Sequence, residues 1–283
     1  MWSFPIVLVR FTALLILGTM ETENKINLGK KLVIATRLHL GKATSPPSEN
    51  KLREILANFQ GVANAVVGSV PVIAVDCTPK IDGYSYVQAI REALPRESNI
   101  QIIEVTPWGK FVPALNALIL FSKTIEADLI MFVSAEVKAS GQTIQTLCKS
   151  ITDDQHTIVA GAALPGHLYS GLSGEVQVPL NGRTCPWNTL AVWDLEKLSL
   201  TGFQCVSDLG VSGGVEECVA VALLQKLFPD AKARLVKLNE ISWEQNFDDE
   251  ERKKWHEFKM QSKVERPASQ LQKLNLSGTV CHC

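Results

Sequence analysis

Residues 100–137 read IQIIEVTPWGKFVPALNALILFSKTIEADLIMFVSAEV, and this stretch decides the fold. An apolar run with Ile102, Ile103 and Val105 leads into a Trp108-Gly109-Lys110 turn. A helical segment begins at Pro113, and a second apolar run, Leu129 to Val133, ends in Ser134-Ala135-Glu136. Short apolar runs without alternation, separated by helix-spaced segments, are the pattern of parallel strands buried on both faces and joined by crossover helices. Open α/β sheets hold nucleotide ligands at the C-terminal ends of such strands. Glu136 stands at that place.

The same rhythm extends outward. Lys31–Leu40 predicts a first strand, and 41–48, with Gly and two prolines, a loop. Leu52, Ile55, Leu56 and Phe59 have helical spacing, with Gly61 as the expected C-cap. Val70–Val75 is a second strand running into Asp76-Cys77-Thr78-Pro79, and Tyr84–Leu94 a helix. Ile100–Val105 is the third strand, Pro113–Lys123 a helix with proline in its first turn, and Leu129–Val133 the fourth strand. Beyond these, Thr157–Ala163 is strand-like and Gly166–Pro186 reads as a mobile or substrate-facing loop. Trp187–Trp193 alternates as a strand, and Asp194 caps a short helix through Leu200. Gly210–Gly214 turns into a helix over Val215–Phe228, and Ala233–Leu238 is a closing strand. The fold class is therefore α/β, a single-domain, Rossmann-like, doubly wound mixed sheet. The expected organisation is an apolar extension at 1–30, the α/β domain at 31–240, an amphipathic helix at 241–262 (Trp243, Phe247, Trp255, Phe258) and a flexible tail at 263–283.

Composition narrows the function classes. The chain has 283 residues, long enough to bury most of its unfolded surface. With 28 basic against 29 acidic residues, net charge −1, it has no global field to draw it onto nucleic acid. The seven cysteines are scattered without zinc-like spacing, and the terminal Cys281-His282-Cys283 reads as part of the flexible end. His39, His156, His167, His256 and His282 do not cluster with acids. There is no G-x-S-x-G elbow, no P-loop and no G-x-G-x-x-G after the first strand, which disfavours a serine hydrolase, an NTPase and a Rossmann dehydrogenase. Phe4–Leu17 is mostly apolar, but Arg10 interrupts it, no basic segment precedes it, and it is shorter than the ~20 residues of a spanning helix. A cytoplasmic chain is expected, with membrane association through the N-terminus or entry to the secretory pathway as the alternative.

The order of these elements resembles the nucleotide-sugar glycosyltransferases of the A-type fold, particularly the inverting family-two group. The resemblance covers residues 31–240, from the Asp-ended second strand through the Gly-Lys turn and Asn-bearing helix to Gly213-Gly214-Val215-Glu216-Glu217. It implies a donor site for a nucleotide-diphosphate sugar built from Thr36, Arg37 and Asp76 around base and ribose, with Lys110 and Asn116 toward the diphosphate. Trp187 and Asn188 would shape the donor or acceptor pocket. The family's Asp-x-Asp pair is here Ser134-Ala135-Glu136, so Glu136 is the expected metal or ribose contact, with Ser134 as a weak ligand. Glu217, preceded by Glu216, matches the family's catalytic base.

Inverting transfer needs such a base to deprotonate the acceptor hydroxyl, and a cation to stabilise the departing diphosphate. Mn²⁺ or Mg²⁺ is the expected cofactor if Glu136 holds a metal. No cofactor is needed if Lys110 or Arg37 supplies the charge. The acceptor, whether glycan, lipid or protein, is not legible. Two alternatives stand beside a hexosyltransferase: a catalytically inactive binding or scaffold protein of the same fold, and a sugar nucleotidyltransferase.

Overall fold

The structure is a computed structural model that describes residues 25–41, 43–171, 174–208, 213–238, 241–243 and 260–283. The expected apolar extension up to residue 24, and the 244–259 part of the expected amphipathic helix, lie outside the described residues.

The first half follows the expected alternation: β1 (Leu32–Leu38), α1 (Glu49–Asn64), β2 (Val70–Asp76), α2 (Tyr86–Ala93), β3 (Gln101–Val105), α3 (Val112–Thr124) and β4 (Leu129–Val133). β5 (Val137–Ala139), α4 (Gly141–Thr152) and β6 (Thr157–Ala162) follow. Next come β7 (Val176–Pro179), β8 (Leu190–Asp194), α5 (Leu195–Ser199) and a 3-10 turn at Cys205–Asp208. The chain finishes with α6 (Glu216–Leu227), β9 (Lys232–Val236), β10 (Ile241–Trp243), α7 (Glu265–Leu274) and β11 (Thr279–His282).

Among the described residues nine strands form one sheet in the order β3-β2-β1-β4-β8-β6-β9-β11-β7. β1, β2, β3 and β4 are mutually parallel, with Ala35 opposite Val72 on one side and Phe132 on the other. β8 runs antiparallel between β4 and β6, and β7 antiparallel at the far edge. This is a doubly wound, mixed, Rossmann-like sheet. β1 to β3 step outward in one direction, and the β3–α3–β4 crossover reverses it. Right-handed connections therefore place α3 on the face opposite α1 and α2. The reversal makes a switch point between β1 and β4, where open sheets form a crevice at the strand ends. A second, two-stranded sheet pairs β5 with β10.

All five residues of β4 and six of the seven in β1 are buried, which explains the apolar run of β4 and of Leu32–Ala35 in β1. α1 is capped by the Ser48 side chain and passes through Gly61 to Asn64 instead of ending there, because Val62 and Ala63 continue its buried stripe. β8 starts at Leu190, not Trp187, since the Leu190 N–H bonds back to the Trp187 carbonyl and curls that stretch into a turn. The loop expected at 166–186 contains the edge strand β7.

The largest correction concerns the C-terminus. Residues expected as a flexible tail form α7 and β11, and β11 inserts between β9 and β7. Val280 and His282 are fully buried there, and the Lys237 N–H bonds to the Cys283 carbonyl. Strand β9 is therefore not the closing strand. Trp243, expected on a helix, lies on β10 against Val137.

Candidate active site

The switch-point edge gathers most of the expected site residues. Thr36 and Arg37 lie toward the C-terminal end of β1, Asp76 ends β2, and Ser134-Ala135-Glu136 turns away from β4. β8 is antiparallel, so its N-terminal end, with Leu190 opposite Val133, comes to the same edge and brings Trp187 and Asn188 with it.

The acidic pair opens α6. Gly214 has φ +100°, and Val215 sits in the left-handed region at φ +60°, a conformation a β-branched residue adopts only when its surroundings impose it. That imposition is visible. The Gly214 N–H bonds to the Ser207 carbonyl at 2.7 Å. The Gln270 side chain donates to the Gly214 carbonyl at 3.0 Å and accepts from the Ser207 hydroxyl at 2.9 Å. Arg266 donates to the Gly213 carbonyl at 2.8 Å. A Cβ on Gly214 would collide with the Arg266 guanidinium. The turn that presents the two glutamates is thus braced by α7, the segment that sequence reasoning took for tail.

Glu216 and Glu217 are 4% and 5% exposed. Glu217 accepts the Asn188 backbone N–H at 2.6 Å. Burial, then the charge of Glu216, pushes the Glu217 carboxyl up to about 7, and the Asn188 bond offsets this only in part. Glu216 faces Arg37, with guanidinium and carboxylate 3.8 Å apart. Arg37 also lies over the Phe111 ring, 5.5 Å from its centroid. Lys263 sits 2.9 Å above the Trp187 ring centroid; burial lowers its ammonium to about 8 while Glu217 works against that shift. Gly182 permits this approach, because a Cβ there would strike the Lys263 carbonyl. Trp187 stacks on His167 at 3.6 Å and donates to the Gly182 carbonyl. Burial holds His167 neutral, lowered to about 3.

The remaining expected residues divide. Asp76 is 2% exposed. Burial pushes its carboxyl up, but the Lys80 ion pair at 2.6 Å and the bonds from Thr78 outweigh that and hold it below its ordinary value. The Lys110 backbone is drawn to Asp208, whose carboxylate takes the N–H groups of Lys110, Phe111 and Val112 at 2.8–3.0 Å. Asn116 is engaged by the Phe203 backbone: its amide donates to the Phe203 carbonyl at 3.0 Å and accepts the Phe203 N–H at 2.8 Å. The Asn188 side chain accepts from the Trp193 indole at 2.9 Å. Ser134 closes a turn onto Val137, and Asn58 of α1 donates to the Ala135 and Val137 carbonyls, which fixes the turn that carries exposed Glu136.

Arg37, Glu216, Glu217, Trp187 and Asn188 are therefore brought together, and Lys263, Arg266 and Gln270 join them unforeseen, while Lys80 pairs with Asp76 and Asp208 with the backbone before α3. Pro267 early in a segment with Leu271 and Leu274 at helical spacing was the available signal for α7.

A protein-held divalent ion is ordinarily gripped by one or two carboxylates together with phosphate oxygens. On the turn after β4 Glu136 is the single carboxylate. Among the described residues no three His, Cys, Asp or Glu side chains are placed to hold a metal. The cationic side chains beside the acidic pair are better developed than any oxygen donor set. Among the described residues no helix is long and apolar enough to cross a membrane.

No protein-family model matches the chain, and no curated protein matches it. Among solved structures it is similar to a mannosyltransferase from Pyrobaculum calidifontis in complex with GDP-Man and Mn²⁺, at 12% identity and TM-score 0.48, covering 70% of this chain and 52% of that one. It is similar to a CMP:2-keto-3-deoxy-manno-octonic acid synthetase complexed with CTP, at 14% identity and TM-score 0.45, covering 83% and 100%. It is also similar to residues 1–349 of S. aureus TarS in complex with UDP-GlcNAc, at 14% identity and TM-score 0.42, covering 72% and 54%. The chain thus spans about half the length of the mannosyltransferase and TarS chains.

Proposed function

We propose that the chain is an inverting glycosyltransferase that moves a sugar from a nucleoside-diphosphate donor to an acceptor hydroxyl. One observation carries the reading: two buried carboxylates at a strained helix start, beside Arg37 and Lys263, on the edge of a doubly wound sheet where nucleotides bind.

In this reading Glu217 is the general base. The acceptor oxygen attacks the anomeric carbon, its proton passes to Glu217, and the bond from that carbon to the diphosphate oxygen breaks on the opposite face. A proton affinity raised to about 7 suits a base that works near neutrality. Glu216 keeps Arg37 in place. Arg37, Lys263 and Arg266 stabilise charge on the departing diphosphate, a role a positioned cation fills without a metal. Thr36 and Asp76, with Lys80, lie where base and ribose are recognised, and Glu136 is a ribose contact. Asn116 supports the site through the Phe203 segment instead of touching the donor. Trp187 and Asn188 form the wall behind Glu217.

A second reading, a catalytically silent donor-binding relative, is supported by the depth of Glu217 and its bond to the Asn188 backbone. The two part experimentally. Glu217→Gln should keep the thermal shift given by UDP, GDP or a UDP-sugar while turnover falls by roughly 10²–10⁴-fold. A wild type that shifts with nucleotide yet turns over no donor favours the silent relative. Absence of any shift with millimolar nucleotide rejects both. EDTA should leave the nucleotide shift unchanged; a shift that needs added Mn²⁺ would return the metal to Glu136.

A further inference from the structure

Cys185 and Cys218 are both fully buried, and their sulfurs approach to 3.2 Å with the Cys218 thiol directed at Cys185. They are 33 residues apart in sequence and belong to the two segments that meet at the acidic pair. Cys218 directly follows Glu217, and Cys185 lies three residues before Asn188, whose N–H the Glu217 carboxylate accepts. Both segments are rigidly held. The Cys185 carbonyl bonds to His167 Nε2 at 3.0 Å, the Cys185 N–H bonds to the Asn181 carbonyl, and the Cys218 N–H bonds to Val215. Closing from 3.2 Å to the ~2.05 Å of a disulfide requires movement of roughly 1.2 Å.

We propose that Cys185 and Cys218 are a covalent modification site, joined by a disulfide when the chain folds in the presence of a low-molecular-weight disulfide oxidant. A thiolate of one cysteine attacks the oxidant, releasing one small thiolate and leaving a mixed disulfide. The second cysteine, as thiolate, displaces the other small thiolate, and the two small thiolates take up the two protons that the cysteines gave up. Two protein thiols and one small disulfide become one protein disulfide and two small thiols. The exchange belongs to folding, because burial later disfavours the thiolate and pushes Cys218 well up. For the same reason the finished bond is shielded from soluble reductants. It ties the first turn of α6 to the loop behind Glu217, so carboxylate and N–H donor move as one unit. This inference does not depend on the glycosyltransferase reading.

The test folds the full chain in a glutathione redox buffer, alkylates it in denaturant without reductant, and maps its peptides. A glutamate-specific protease is needed besides trypsin, because exposed Cys205 shares a tryptic peptide with Cys218. The expected result is a linked pair containing Cys185 and Cys218. Its melting midpoint should lie roughly 5–10 °C above that of protein reduced in denaturant and refolded with dithiothreitol. The difference should vanish in Cys218→Ala. Should that variant fail to fold, the Cys281→Ser, Cys283→Ser double variant must still yield the 185–218 pair. Finding both cysteines alkylated after equilibrium folding, or linked to other cysteines, overturns the proposal.

Discussion

At the scale of single residues, the proposed chemistry rests on Glu217. In an unfolded chain its carboxyl would titrate at ~4.3, whereas burial and Glu216 raise it to about 7 in the fold. Between those values the folded state binds more protons than the unfolded one. The stabilisation from this group is complete below the lower value and is lost as pH rises through the upper one. The proposed base role needs the ionised form, so the activity it predicts gains across the same window. Activity should therefore fall on acidification below about 7, while the melting-point advantage of wild type over Glu217→Gln shrinks as pH rises toward about 7. Paired pH profiles of turnover and melting check both slopes, and parallel slopes would remove Glu217 from the base role. The pair was legible in the sequence because two acids after Gly-Gly open a helix pattern. Asn116 was legible only as a buried amide needing partners. Its partner, the Phe203 backbone, lies 87 residues away, beyond what local spacing reveals.

At the scale of elements, the loop before α3 shows how one side chain organises a helix start. Phe111 offers no side-chain cap, and Asp208 from the 3-10 turn collects three backbone N–H groups instead. A Cβ on Gly109, at φ +64°, would run into that carboxylate. Asp208→Ala should cost about 1–2 kcal/mol and lower the melting midpoint by roughly 2–8 °C, with hydrogen exchange accelerating first at Lys110–Val112. Exchange unchanged there would mean that the helix start is held by other contacts. The buried strands β1, β2 and β4 were readable because burial on both faces leaves apolar runs. The edge strand β7, alternately half-buried and exposed, carries no such run. Helix α4 escaped notice although Ile144, Leu147, Cys148 and Ile151 form a stripe behind the Ser140 cap.

At the scale of the whole molecule, the last residues complete both the sheet and the site. β11 pairs β9 and β7, and α7 carries Arg266 and Gln270 to the turn before Glu216. Ending the chain after Asn275 should expose the edge of β9 and strip β7 of its partner. The expected outcome is aggregation, or a melting midpoint far below wild type, checked by size-exclusion chromatography and thermal unfolding. A truncated chain that stays monomeric and melts like the parent would show that β11 is dispensable. The sequence by itself determined the alternation of strands and helices, the edge of the sheet that would carry a site, and the acidic pair. Those rest on local periodicity and on residue types that declare their chemistry. Only the tertiary structure decided that the C-terminal segment is a buried strand and a brace, and that Lys263 and Arg266 stand beside Glu217. The close approach of Cys185 and Cys218 was decided at the same level. Such contacts join residues dozens of positions apart, and their energy comes from surface and backbone groups that find partners only once the chain has closed on itself.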